Sequence, residues 1–397
     1  MKDSKRYIIL GVVLVLIVIA IIFLEGLKPH PANPAQANIP STQNNPSLST
    51  GNNPANPAST QNSQNNDVNN NENNYPSAPE LAGIAGWINT QGLTLQSLHG
   101  KVVLIDFWAY SCVNCLRTLP YLNSWYAKYK DSGLVIIGMH TPEFNFEKDY
   151  NNVLYATKKY NITYPVALDN DYINWAAFQN QYWPREYLID KDGKIRYDHI
   201  GEGNYDETEM QIQQLLSETG NNMTTTLVNI TDQTPTTSNT PELYVGYNFA
   251  LPRGQYLGNK QAMTVYKTDN YTTQVNPALA PDSISPDTVY IEGLWTSNPD
   301  NLMTASNGSS SIYLSFIAKN ANIVAASSTA AEVEVLIDGK DISSDVAGTD
   351  VTISGGKSYM KIDAPRLYDI YAGPYARHIL QLVIKQQRFS FNSFTFG

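Results

Sequence analysis

The sequence has 397 residues, enough for two ordinary domains and a tail, and a formal net charge of −10. It carries 26 Lys and Arg with no basic stripe, which argues against a nucleic-acid partner because phosphate binding depends on clustered cations. Its two cysteines are too few for a disulfide framework, and no second Cys/His pair completes a four-ligand zinc site. We therefore expect no metal and no nucleic acid, and the two cysteines act together or not at all.

Residues 1–28 are predicted to form an N-terminal transmembrane anchor. Residues 7–24 carry no charge and consist mostly of Val, Ile and Leu, which meets the lower limit for a membrane-spanning helix. The nearest small-x-small pattern lies too far downstream for a cleaved signal peptide. Three basic residues precede the span, so the positive-inside rule places the N-terminus in the cytoplasm and the rest of the chain outside.

Residues 29–79 are rich in Asn and Pro and contain almost nothing apolar. Such a segment cannot bury enough surface to offset the entropy lost on ordering. We expect a disordered tether that holds the following domains near a membrane.

Residues 80–220 alternate strand-like and helix-like patterns. Residues 101–107 and 134–139 are apolar runs typical of strands covered on both faces, and residues 115–129 between them have helical spacing. This βαβ unit predicts a parallel pair of strands. Further helices are expected at 146–160, 172–179 and 207–217, and further strands at 164–168, 186–189 and 194–199, the last two joined as a hairpin by Asp192-Gly193.

Residues 221–240 are predicted to be a Thr/Asn-rich linker, and residues 241–397 an all-β sandwich without a helix. The evidence is alternation of period two, bounded by turn signals. The clearest strand patterns lie at 312–317, 331–337, 378–384 and 389–396.

The two cysteines, Cys112 and Cys115, lie where the first long strand ends and its helix begins. Unpaired N–H groups and the helix dipole at that position stabilise a thiolate, so Cys112 is expected to be the more exposed and nucleophilic. Cys115, one turn further in, is placed to attack a mixed disulfide formed at Cys112. A metal half-site and a static structural disulfide are the weaker alternatives, since no second ligand pair exists and a two-residue loop gains little closure entropy.

The surroundings of the cysteines resemble the thioredoxin family. The pair follows the run Asp106-Phe-Trp-Ala and precedes Pro120 by five residues, and Trp183-Pro184 stands where that family has its cis-proline. An extra helix and strand between residues 146 and 168 resembles the TlpA-like extracytoplasmic branch. The resemblance implies an α/β thioredoxin fold and a redox-active Cys112–Cys115 disulfide, with no other cofactor.

A closer resemblance, over about residues 80–397, is to the C-terminal region of DipZ-type membrane thiol oxidoreductases. Residues 110–121, 139–144 and 201–209 carry it in the first domain, and residues 240–247 and 364–368 in the second. In those proteins a thioredoxin-like domain precedes a jelly-roll β-sandwich similar to carbohydrate-binding modules. Their multi-helix electron-conducting domain is replaced here by a single predicted anchor, which implies a separate membrane protein as electron donor.

The resemblance also implies roles for individual residues. Asp106, within an apolar strand, is expected to have a raised pKa and to relay a proton to or from Cys115, unless it reaches solvent at the strand end. Pro184 is expected to be cis and to present the backbone of Trp183 to an extended substrate. Trp108 is expected to pack beside the cysteine loop or to face the substrate.

Five further residues are weaker candidates. Val113 and Asn114, between the cysteines, are expected to contact the substrate and to tune the reduction potential. His140 ends a central strand, so its imidazole could lie near the thiols, although a loop histidine satisfied by local hydrogen bonds is the blander interpretation. Glu143 and Glu202 are candidates for proton transfer or simply solvated loop carboxylates.

The sequence therefore predicts a membrane-anchored, extracytoplasmic thiol–disulfide oxidoreductase that acts on protein thiols and disulfides. Reduction of disulfides is favoured because the resemblance points to systems that receive electrons across a membrane, and a disulfide-forming oxidant is the alternative. A cell-surface carbohydrate-binding protein with an accessory redox domain is a different class of function. The Tyr-rich segment 368–375 supports it, because its rings could stack on a glycan.

Overall fold

The structure is a computed structural model that describes residues 75–222, 225–259, 261, 263–275, 284–306 and 308–397. The predicted anchor, residues 1–28, and most of the predicted tether lie outside the described residues. Among the described residues, no helix is both long enough and apolar enough to cross a membrane. Ser77, assigned to the tether, pairs with Lys194, and the Ala78 N–H donates to the Gly193 carbonyl over 2.9 Å. The folded part of the chain thus begins before residue 80.

The first sheet has six strands in the order β1-β4-β3-β2-β5-β6. The strands are β1 (Trp87–Ile88), β2 (Val102–Trp108), β3 (Leu134–His140), β4 (Val166–Leu168), β5 (Arg185–Ile189) and β6 (Ile195–Ile200). β2 pairs in parallel with β3, as predicted, and antiparallel with β5. All seven residues of β2 are buried, because helices cover both faces of the sheet.

Four helices cover this sheet: α1 (Val113–Tyr129), α2 (Tyr150–Lys159), α3 (Ile173–Ala177) and α4 (Tyr205–Glu218). All four predicted helices are confirmed, with ends shifted by a few residues. α1, α2 and α4 pack on the face that carries Leu104 and Trp108. α3 and Phe178 pack on the opposite face, which carries Phe107 and Ile137. The cysteines lie at the start of α1, immediately beyond the C-terminal end of β2.

The remainder forms a second sheet of eleven strands, antiparallel in every strand pairing. The strands are β7 (Leu243–Tyr244), β8 (Thr268–Tyr271), β9 (Val289–Ser297), β10 (Leu302–Thr304), β11 (Ser310–Ser327), β12 (Ala331–Ile337), β13 (Lys340–Asp341), β14 (Val351–Ser354), β15 (Lys357–Ile362), β16 (Arg366–Ile384) and β17 (Phe389–Phe396). Its long central strands, β11 and β16, pair with each other along their length.

The structure differs from the expected sandwich in one respect, because all of these strands belong to one continuous hydrogen-bonded network. Register shifts near residues 318–322 of β11 interrupt the long pairing with β16, and such bulges bend strands. One buried cluster collects side chains from most strands, including Trp295 and Phe316. The expectation of no helix was wrong for one short turn, α5 (Tyr247–Ala250).

The predicted linker also packs against the first sheet. Its described parts, residues 221–222 and 225–240, contain neither helix nor strand. Val228 and Ile230 nevertheless lie against the apolar cluster around α1, and the Val228 N–H donates to Glu209 over 2.8 Å. The linker is therefore attached to the first sheet and is not a free connection.

Candidate active site

Cys112 and Cys115 are joined by a disulfide at the N-terminus of α1, with their Cα atoms 5.3 Å apart. Cys112 occupies the N-cap position, and its Sγ accepts the Cys115 N–H over 3.2 Å. Cys112 is 9% exposed and Cys115 1% exposed, so the predicted order of exposure is confirmed. The sulfur of Cys112 is therefore the one that a substrate can reach.

Asp106 lies in the middle of β2 and is 1% exposed. Burial raises the pKa of its carboxyl to about 8, in the predicted direction, because the charged form is poorly solvated there. Its Oδ1 has no hydrogen-bond partner. The alternative of a strand-end aspartate that reaches solvent is wrong.

Glu186 is a buried carboxyl that sequence reasoning missed. It is 3% exposed and stands opposite Asp106 on the neighbouring strand β5. Burial and the nearby Asp106 carboxylate raise the pKa of Glu186 to about 8, although the Thr208 hydroxyl opposes the rise. The signal was available in the sequence as a second carboxyl within an apolar strand pattern, four residues before the next aspartate.

These raised pKa values predict a stability that falls as pH rises. In the folded chain the Asp106 and Glu186 carboxyls keep their protons up to about pH 8, whereas in the unfolded chain they lose them near pH 4. Their contribution to stability is therefore complete below about pH 4 and is lost as the pH rises towards 8. We expect Asp106→Asn to reduce the loss in unfolding free energy between pH 5 and pH 8 by at least about 1 kcal/mol. Urea unfolding of the disulfide form at each pH measures this. The exposed Asp206→Asn should keep the wild-type slope, and an equal slope in Asp106→Asn would contradict the assignment.

The peptide bond between Trp183 and Pro184 is cis, as expected. The Trp183 indole is half-buried, donates from Nε1 to the Thr141 carbonyl over 3.1 Å, and packs against Trp175 with ring centroids 4.1 Å apart. Its polar atom is thus already satisfied within the protein.

Trp108 and His140 are fully buried. Their rings meet edge-on with centroids 5.2 Å apart, and Tyr110 stacks on His140 at 5.5 Å. The Trp108 indole therefore has no surface for a substrate, which corrects the substrate-facing alternative. His140 belongs to β3 and neither ring nitrogen has a hydrogen-bond partner, so the expected loop histidine with local hydrogen bonds is also corrected. Burial lowers the pKa of His140 to about 3, so the ring is neutral.

Val113 and Asn114 have partners within the chain. Val113 packs against an apolar cluster that contains Tyr244 and Leu367 of the second sheet. The Asn114 Oδ1 accepts from Arg117 Nη2 over 2.7 Å. Arg117 also forms a bidentate ion pair with Glu202, at 2.6 and 2.7 Å. Glu202 is therefore a paired carboxylate, neither a solvated one nor a free proton acceptor.

Glu143 and Glu147 form a second buried carboxyl pair beside the cysteine loop, and sequence reasoning missed Glu147. Glu143 is 6% exposed, so the solvated interpretation is corrected, and its carboxylate accepts a hydrogen bond from the Tyr244 hydroxyl. Glu147 accepts from the N–H and Oγ of Ser111, at 3.1 and 2.6 Å, and from the Phe144 N–H at 3.0 Å. Burial and the Glu143 charge raise the pKa of Glu147 to about 7, while these hydrogen bonds lower it. Glu147 thus positions the residue that precedes Cys112.

The second sheet contacts this edge of the first sheet directly. The Tyr110 hydroxyl donates to the Pro365 carbonyl over 3.2 Å, and the Asn145 N–H donates to Asp300 over 3.1 Å. Together with the Tyr244 contact, these bonds place the second sheet beside the cysteines. Across the described residues, no three His, Cys, Asp or Glu side chains are arranged to hold a metal ion.

Two protein families match the chain. Residues 87–216 match the family described as Redoxin, and residues 240–397 match the one described as Thioredoxin like C-terminal domain.

Three curated relatives extend these matches. Protein DipZ of Mycobacterium tuberculosis is 38% identical over 279 residues, which are 69% of this chain and 38% of DipZ. Thiol-disulfide oxidoreductase YkuV of Bacillus subtilis is 31% identical over 140 residues, 35% of this chain and 94% of YkuV. Thiol-disulfide oxidoreductase ResA of Bacillus cereus is 32% identical over 123 residues, 31% of this chain and 68% of ResA. The chain thus spans less than half of DipZ and most of the other two.

Proposed function

Since the chain belongs to the thioredoxin-like thiol–disulfide oxidoreductases, we propose that it reduces disulfide bonds of proteins outside the cytoplasm while anchored to a membrane. The observation that carries this proposal is the disulfide at the start of α1, whose more exposed sulfur belongs to Cys112. The N–H groups at that helix end favour the Cys112 thiolate, which is the attacking species in disulfide exchange.

The reaction proceeds in two exchanges. In the reduced chain, the Cys112 thiolate attacks one sulfur of the substrate disulfide and releases the other as a thiolate that takes up a proton. Cys115 then loses its proton and attacks Cys112 Sγ, which breaks the mixed disulfide and releases the second substrate thiol. The substrate gains two electrons and two protons, and the chain is left with the Cys112–Cys115 disulfide.

The proposed location and electron donor rest on the sequence. Residues 7–24 would anchor the chain with its folded part outside, and a separate membrane protein would reduce the disulfide after each turnover. The Trp183-Pro184 segment is proposed to bind an extended part of the substrate near Cys112.

Two of the three rings in the Tyr-rich segment are unavailable to a glycan. Tyr368 and Tyr371 lie in β16 and are almost completely buried, so neither ring is available to stack on a sugar. Tyr375 is partly exposed, but its hydroxyl donates to the Ser238 carbonyl.

Reduction of insulin by the purified full chain with dithiothreitol tests the activity. We expect turnover in the wild type and in the exposed Glu207→Gln control, and at least a ~100-fold loss in Cys112→Ser, because the attacking sulfur is removed. Full activity of Cys112→Ser would reject the site assignment.

The reduction potential of Cys112–Cys115, measured against glutathione, tests the direction. A value near that of thioredoxin, about −270 mV, supports a reductant, whereas a value near about −120 mV, typical of strong disulfide donors, would reject it.

A further inference from the structure

Asp106 and Glu186 occupy directly opposed positions on the antiparallel strands β2 and β5. Opposed residues point to the same face of a sheet, with Cβ atoms about 5 Å apart. That face is the one covered by α1, because Leu104 and Trp108 on β2 and Leu188 on β5 belong to the same buried cluster as Cys115. Both carboxyls therefore lie in the layer beneath the buried cysteine.

Each carboxyl has an oxygen without a hydrogen-bond partner, namely Asp106 Oδ1 and Glu186 Oε2. The Tyr164 hydroxyl, fully buried and also without a partner, interacts electrostatically with both carboxyls. Unpaired buried oxygens are costly, so three of them together indicate groups that exchange protons or hold internal water.

The other groups that face this pair are few. They are Thr208 of α4 and Tyr197 and His199 of β6, and His199, whose Nε2 has no hydrogen-bond partner, stands directly opposite Glu186. Among the described residues, no lysine, arginine or histidine forms an ion pair or hydrogen bond with Asp106 or Glu186. Without an ion-pair partner, two carboxylates at this separation in a buried site cannot both ionise easily.

We propose that Asp106 and Glu186 share one proton as a coupled dyad, and that Glu186 acts through Asp106 to set the pH at which Cys115 is deprotonated. This inference rests on the proposed thiol–disulfide exchange. In this proposal Asp106 takes the proton of Cys115, and Glu186 is a positioning residue for that proton.

The dyad has a defined part in the second exchange. Asp106 accepts the proton of the Cys115 thiol, and the Cys115 sulfur attacks Cys112 Sγ as the bond to the substrate sulfur breaks. The substrate thiolate leaves with the bonding electron pair. The dyad then holds two protons and returns one to solvent, or to the leaving thiolate, before the next cycle.

Carbon-13 titration of the Asp and Glu carboxyls in the purified full chain tests the dyad. The disulfide form is used because its cysteines do not titrate, and Asp106→Asn identifies the Asp106 signal. We expect the Asp106 signal of the wild type to shift in two steps, and the Glu186 signal to report the same two midpoints. In Glu186→Gln we expect one step, with the upper midpoint lowered by at least about 1 pH unit.

A matched control is Asp190→Asn, which removes a carboxyl from the chain directly after β5. Asp190 is bonded to Arg196, and its loss should leave both Asp106 steps in place. A single Asp106 step in the wild type, or an unchanged upper step in Glu186→Gln, would overturn the dyad. The wild-type titration decides the matter even if Glu186→Gln does not fold.

A kinetic measurement links the dyad to Cys115. The rate at which the mixed disulfide resolves should follow the upper midpoint of the dyad, and this pH profile should move to lower pH in Glu186→Gln. A variant that was merely destabilised would not shift it. Loss of insulin reduction with two Asp106 steps intact would reject the proposed function alone, whereas normal reduction with one step would reject the dyad alone.

Discussion

Replacement of Cys115 with serine is expected to trap the chain on its substrates as a mixed disulfide through Cys112. Cys112 is the more exposed sulfur and can still attack, but the resolving sulfur, whose Cα lies 5.3 Å from that of Cys112, is gone. Turnover should fall by at least ~100-fold while the covalent adduct accumulates. Incubation with a disulfide-bonded protein, alkylation of free thiols and non-reducing electrophoresis would reveal an adduct that dithiothreitol releases.

The matched control is Cys112→Ser, in which the remaining Cys115 thiol is the buried one. It should give little or no adduct, because Cys115 is 1% exposed. Equal adduct yields from the two single variants would contradict the assignment of separate attacking and resolving cysteines.

Replacement of Phe144 with alanine is expected to lower the unfolding free energy by about 3–5 kcal/mol. Phe144 is 1% exposed and packs between the two sheets, with ring centroids 5.5 Å from Phe249 and 6.2 Å from Tyr244. Its removal leaves a cavity where the second sheet meets the cysteine-bearing edge, and urea unfolding followed by tryptophan fluorescence would measure the loss.

The exposed Tyr155 on α2 offers the control, because its ring is 55% exposed. Tyr155→Ala should change the unfolding free energy by no more than about 0.5 kcal/mol. If Phe144→Ala were equally neutral, the packing of Phe144 between the two sheets would not stabilise the chain.

The elements with the strongest local signals were predicted well. β2 and β3 are continuous apolar runs that are almost wholly buried, and the period-two pattern of β12 is matched by alternating burial at its start. β17 alternates in sequence, yet seven of its eight residues are buried, so there the pattern predicted the strand but not its burial. The short strands β1, β7 and β13, of two residues each, were missed because so few positions carry no periodicity. The first part of β16 was missed because Gly373 and Pro374 interrupt its pattern.

The residues of the candidate site likewise comprise some that local sequence patterns predicted and some that they did not. Cys112, Cys115 and Asp106 were identified because their spacing and their place between strand and helix are local properties. Glu186 was overlooked because nothing in its own segment shows that β5 lies beside β2 with those two carboxyls opposed. Glu147 was overlooked because its partner, Ser111, is 36 residues away.

By itself, the sequence determined the cysteine chemistry, the α/β character of the first part and the β character of the second, because each depends on neighbouring residues and on periodicity. Its prediction of a membrane anchor stands on residues 7–24 alone. The tertiary structure decided which carboxyls face each other, that Trp108 and His140 are buried, and that the second sheet lies against the cysteine loop. These features depend on strand order and on contacts between segments far apart in the chain. Such contacts produce no periodic pattern in the sequence of either segment, so neither segment alone predicts them.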